Sequence, residues 1–205
     1  MSYTDFSIDS VAADLGLNLS TVDLFPGLRR LQVPPWLFDA LERGKSEFPV
    51  SEKARSEFIV APILLACKEH SPGPLSIQSG VRLDVDPARG LVGECDFILS
   101  ATPPLPGLRG PLVALIRMKW PDREDGIWQC IAQMAGARQF NERSGDTVGE
   151  IFGCVTDGEI WHFLRLADDR AEFGYRSYSL GSLGSILAVF GSILARHAAA
   201  SKLPK

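Results

Sequence analysis

The stretch PLVALIRMKW, residues 111–120, decides how the rest of the chain is read. Leu112 to Ile116 is an unbroken apolar run, the pattern of a strand covered on both faces. Its end changes character. Arg117 and Lys119 are two residues apart, and because side chains alternate along a strand, both cations leave one face. Such a pair either ends the strand in solvent or meets acids brought up by neighbouring elements.

Outward from this strand, the period of the chain is informative. SGVRLDVD (79–86) alternates, PARG (87–90) is a turn and LVGECDFILS (91–100) returns, which predicts a hairpin. ATPPLPGLRG (101–110) is a Pro/Gly loop leading into the 111–120 strand. EDGIWQCIAQMAGARQFNER (124–143) places Ile127, Ile131, Met134 and Ala135 at helical spacing. GEIFGCVTDGEIWHFLRL (149–166) reads as two strands turning at Asp157-Gly158. YRSYSL (175–180) adds a further strand before the closing helix. Upstream, Ser51 caps a helix over 51–70 that Pro62 is expected to kink, and VPPWLFDALERG (33–44) forms a helix ending at Gly44. Helix, three strands, helix, two strands and helix predict an α/β fold with a mixed sheet flanked by helices. The expected organisation is an N-terminal helical extension over 1–48, one domain over 49–199 and a tail over 200–205.

Composition narrows the function classes. The 205 residues are 45% hydrophobic and 22% charged, with a formal net charge of −4, so no overall basic field draws the protein to nucleic acid or anionic lipid. Cys67, Cys95, Cys130 and Cys154 form no C-x-x-C pair, and His70, His162 and His197 are not clustered near them, which argues for free thiols and against zinc. With no basic-then-apolar leader in the first twenty residues, a cytoplasmic location is expected. LGSLGSILAVFGSILA (180–195) is sixteen residues, short of the ~20 that span a bilayer, so it reads as a core helix and no membrane partner is expected.

Four segments carry a resemblance: GECDFILS (93–100), ALIRMK (114–119), IWQCIAQMAGARQFN (127–141) and IFGCVTDGEIWHFLRL (151–166). Together they resemble the PD-(D/E)xK superfamily, the restriction-endonuclease-like nucleases. Within it they resemble a group of uncharacterised bacterial, notably cyanobacterial, proteins. The resemblance covers roughly residues 50–168. It implies that Asp96 is the acid of the hairpin's second strand, that positions 117 and 119 hold the E-x-K pair, and that Glu57 joins from the preceding helix. It further implies that Gln129 and Gln133 line the site from the following helix. Catalytic roles would then fall to Asp96, Lys119, Glu57 and Gln129, and metal ligation to Asp96 and Glu57. Lys119 matches the pattern, but position 117 carries Arg117 in place of the acid.

That departure changes the chemistry. Metal-assisted phosphodiester cleavage needs several oxygen ligands around Mg²⁺ and a cation to stabilise developing charge. Glu, Asp, Glu and Lys together carry about −2, whereas Glu57, Asp96, Arg117 and Lys119 carry zero. A guanidinium stays protonated, so Arg117 is expected to take the metal's place, paired to Asp96 by two hydrogen bonds. Glu94 shares the strand face of Asp96, but one pleat of about 6.5–7 Å separates them. The expectation is a nuclease fold with a degenerate metal site, impaired or inactive as a Mg²⁺-dependent nuclease, with no cofactor as it stands and Mg²⁺ or Mn²⁺ if active. Weakly bound nucleic acid is one expected partner. A second copy of the chain is another, since Gly184, Ala188 and Ser192 form a row of small residues suited to a close helix contact. The alternatives are an active endonuclease with a rearranged site and a non-enzymatic interaction scaffold. Trp36, Trp120, Trp128 and Trp161 are expected in core or rim packing, and Asp84 and Asp86 beside a surface turn.

Overall fold

Leu112–Met118 forms strand β4, and its residues are buried except for half-buried Arg117, because helices cover both faces of the sheet at this strand. The computed structural model describes residues 1–119 and 123–200. The other strands are β1 (Asn18–Val22), β2 (Ser76–Arg82), β3 (Glu94–Ser100), β5 (Glu150–Thr156), β6 (Ile160–Ala167) and β7 (Arg170–Ser179). They form one seven-stranded mixed sheet in the order β1-β7-β6-β5-β4-β3-β2. The helices are α1 (Ile8–Leu15), α2 (Pro35–Ser46), α3 (Glu52–Arg55), α4 (Ala61–Cys67), α5 (Arg123–Ser144) and α6 (Leu183–Ala200).

The β2–β3 hairpin and the β3–β4 pair are antiparallel, and β4 then pairs β5 in parallel, from Ala114↔Phe152 to Met118↔Thr156. A parallel pair cannot be joined by a tight turn, and α5 makes the crossover. Cys130, Ile131, Met134 and Ala137 of α5 are fully buried in a cluster with Leu115, Ile151 and Val155. On the opposite face α4 and α6 supply Ile63, Leu64, Ile186 and Phe190 against Ile116, Phe152 and Trp161. The β5–β6 turn forms at Asp157-Gly158. Asp157 Oδ1 accepts from the N–H groups of Glu159 and Ile160 at 2.8 Å, and Gly158 takes a φ of +88°.

Several expectations change. The N-terminal 48 residues are not purely helical: β1 pairs in parallel with β7 at the sheet edge, from Asn18↔Arg170 to Val22↔Gly174. Its sequence NLSTV is short, polar and mostly exposed, so it has no apolar alternation to announce it. Gly44 does not end its helix, which runs on to Ser46; a Cβ there would collide with the Phe58 carbonyl oxygen. Ser51 does cap α3, accepting from Ala54 N at 3.1 Å. The strain expected from Pro62 is met by a wide π turn, Ser56–Val60, in which Ala61 N bonds back to Ser56 O. Pro62 follows directly, in a chain that stays helical through Val60 and Ala61.

In the small row of α6, Gly184 packs on its own chain: Gly184 O accepts from Leu31 N at 2.9 Å, and a Cβ on Gly184 would strike Leu31 O; Ala188 is buried and Ser192 half-buried. The apolar window extends further than the sequence run suggested, over Leu180–Ala199. By length and composition alone it is apolar enough to cross a membrane, and half of it is buried in the fold. All four cysteines are free and buried. Trp161 is fully buried, Trp128 packs edge-on to Phe173, and Trp36 is partly exposed with its indole N–H on Glu69; Trp120 and residues 201–205 lie outside the described residues. Asp84 accepts from Arg82 and from Gly93 N, and Asp86 caps the 87–89 turn.

Candidate functional site

Pairing β3 against β4 at Phe97↔Ile116 brings Asp96 beside Arg117, at the strand ends where the apolar run stops. Arg117 Nη1 donates to Asp96 Oδ2 at 3.0 Å, and Met118 N donates to the same oxygen at 2.8 Å. Arg117 Nε turns instead to Gln129 Oε1 on α5, at 3.2 Å. The guanidinium therefore bridges a strand acid and a helix amide, where two bonds to Asp96 were expected. Its Nε edge is taken by Gln129, which leaves one bond to Asp96. The side chains of Arg117 and Asp96 are only 15% and 26% exposed, so solvent screens the pair poorly. Burial pushes the Asp96 carboxyl above the ordinary carboxylate range, and nearby Glu52 adds to the rise. The Arg117 guanidinium and the Met118 N–H pull the other way without overcoming burial.

Gln129 and Gln133 do share one face of α5, as their spacing requires, but they are buried rather than lining an open groove. Gln129 Nε2 reaches Thr4 O at 3.5 Å and Gln133 Nε2 donates to Glu94 O at 3.2 Å. Both amides thus fasten α5 to neighbouring backbone. The N-terminal turn closes this side: Tyr3 is buried, its hydroxyl donates to Leu83 O at 2.9 Å, and its N–H bonds Val92 O at 3.0 Å.

Lys119 leaves the same face as Arg117, with its stem against Gly126 at the start of α5. Its backbone N–H extends the β4–β5 ladder to Thr156 O at 3.0 Å. Among the described residues no hydrogen bond or ion pair joins its side chain to Asp96.

Asp96 also forms part of the wall of a cleft of about 440 Å³, with Glu52, Glu57 and Glu94 and with Lys53, Ser56, Ser79, Gly80 and Met118. Glu57 is 56% exposed and its nearest cation is Lys53, at 4.0 Å. Glu52 and Glu57 both face this cleft, although five residues in a regular α-helix leave side chains about 140° out of phase. Sequence spacing marks Glu52 no more than Glu57, as a surface residue of the same helix, and gives no sign that it shares a wall with Asp96. Among the described residues, no three His, Cys, Asp or Glu side chains are grouped closely enough to hold a metal ion.

The ligand positions that the resemblance implies do not suit a divalent ion as they stand. Asp96 is paired to a permanent cation, position 117 is that cation, and the Glu57 side chain is more than half exposed. No protein-family model matches the chain, and no curated protein matches it either.

Proposed function

We propose that this chain carries a PD-(D/E)xK-like nuclease scaffold in which Arg117 has replaced the metal, leaving a protein that does not cleave phosphodiesters as a Mg²⁺-dependent nuclease and acts by binding. The observation that carries this is the Arg117 Nη1–Asp96 Oδ2 pair at 3.0 Å, anchored behind by Gln129. The order of antiparallel β2-β3-β4, crossover helix α5 and parallel β5 supports the scaffold assignment. Four carboxylates against one ammonium make the adjoining cleft acidic, which disfavours a nucleic-acid backbone there and favours a cationic partner surface.

One observation favours a second reading, an active nuclease with a rearranged centre. Arg117 is not part of the cleft wall, while Glu52, Glu57, Glu94 and Asp96 are. That reading requires at least one of these glutamates to close on Asp96. A plasmid-nicking assay in Mg²⁺ and in Mn²⁺ separates the two. No cleavage above that of Asp96→Ala supports the binding scaffold; cleavage lost on Asp96→Ala establishes the rearranged enzyme.

A further inference from the structure

Helix α2 and the turn after it carry an apolar face that their own chain leaves uncovered. Phe38 is 54% exposed, and beyond the end of the helix Phe48 and Val50 are 81% and 84% exposed. Phe48 takes a φ of +47°, a left-handed conformation that bulky residues seldom adopt, and its N–H donates to Lys45 O at 3.0 Å. The turn thereby holds its ring out in solvent. An open cleft of about 260 Å³ lies beside it, walled by Phe48, Pro49, Val50 and Arg55, and a phenyl ring needs less room than that. Between Phe38 and Phe48 stand Glu42 and Lys45, exposed, of opposite charge and on the same stripe of α2 as Phe38. Among the described residues neither takes part in an ion pair. A stripe with apolar ends and one charge of each sign at its middle is complementary to its own copy. An antiparallel register that sets Glu42 against Lys45 of a second copy also sets Lys45 against that copy's Glu42. The same register brings Phe38 level with Pro49 of the second copy, between its Phe48 and Val50.

We propose that a second copy of this chain covers this face, the two α2 helices lying antiparallel across a two-fold axis, with Phe38 of each seated on the Phe48–Val50 turn of the other. Glu42 and Lys45 then form two equivalent ion pairs that fix the register and contribute little else. Two phenyl rings exposed to this extent offer about 270 Å² on each copy, a third of the ~800 Å² per partner that a stable interface covers. Val50 and the polar residues around the stripe add to it, and a dimer at the weak end of specific association, in the micromolar range, is expected. This face is separate from the small row of α6, whose Gly184 already packs on Leu31.

The test is sedimentation velocity on the full chain over a range of concentrations. The wild-type chain should pass from monomer to dimer in the micromolar range. Phe48→Ser should weaken the dimer at least tenfold; this side chain is exposed, so thermal unfolding of the dilute protein should not change. Glu42→Lys and Lys45→Glu should each weaken self-association at least tenfold, because each sets two like charges against each other across the axis. Mixing these two variants should restore a dimer, since every contact then joins a lysine to a glutamate, and the double variant Glu42→Lys/Lys45→Glu should dimerise as wild type does. A chain that stays monomeric at hundreds of micromolar overturns the proposal and leaves the face to a different protein. A dimer unmoved by Phe48→Ser, or one that the mixed charge variants fail to restore, overturns it as well.

Discussion

Replacing Arg117 by glutamate should create a metal site where the wild-type chain has an ion pair. The substitution removes a cation bonded to Asp96 at 3.0 Å and puts an acid in its place, a change of two charges. At about 4 Å and an effective dielectric near 20, one unit pair is worth about 4 kcal/mol. A divalent ion doubles that and the change of two units doubles it again, to a bare figure of about 16 kcal/mol. Water in the cleft and relaxation of the side chains take most of this. If only a quarter survives, about 4 kcal/mol, the metal dissociation constant still falls by about a thousandfold. Without metal the variant should be less stable than wild type by about 3 kcal/mol, because two carboxylates then share a mostly buried site with no guanidinium between them. Mn²⁺ should restore that loss. Thermal unfolding and calorimetry with and without Mn²⁺ read both effects, and Arg117→Gln, which removes one charge only, should fall between. An equal Mn²⁺ response from wild type and Arg117→Glu would refute the reasoning.

Three further outcomes are expected. Binding to plain duplex DNA should be weak at physiological salt and weaken further as salt rises, given the net charge of −4; tight, salt-insensitive binding would contradict this. The raised Asp96 carboxyl takes up its proton in the folded state before it does in the unfolded state, so its contribution to stability rises as pH falls. The stability difference between wild type and Asp96→Asn, measured by urea unfolding, should therefore shift toward wild type on descending through the window just above the ordinary carboxylate value. A shift toward Asp96→Asn would mean that Arg117 outweighs burial. Gly136→Ala should destabilise by about 1–3 kcal/mol, since the new Cβ meets the Tyr3 hydroxyl in a packed core; a stable variant with Tyr3 still protected in hydrogen exchange would count against the N-terminal seal.

The central strand was legible because both covered faces leave a continuous apolar run, and the β5–β6 turn because Asp157-Gly158 has few other uses. Strand β1 was not, since an exposed edge strand paired to a distant segment needs no apolar alternation. At the site, alternation correctly placed Arg117 and Lys119 on one face, and the i, i+4 spacing correctly paired Gln129 with Gln133. How deep the glutamines lie was hidden, because it depends on Tyr3 and Thr4 arriving from far along the chain. So was the place of Glu52 on the cleft wall, which residue spacing does not reveal. The single bond from Arg117 to Asp96 depended on which acceptor stood nearest each guanidinium edge, a matter of ångströms rather than of pattern.

The most direct test is a crystal of the wild-type chain soaked in Mn²⁺, with anomalous scattering collected at the manganese edge. Arg117 Nη1 should remain within hydrogen-bond distance of Asp96 Oδ2, with no anomalous peak at that carboxylate. A manganese ion coordinated by Asp96 together with Glu57 or Glu94, and Arg117 swung clear of it, would contradict the replacement of the metal by arginine.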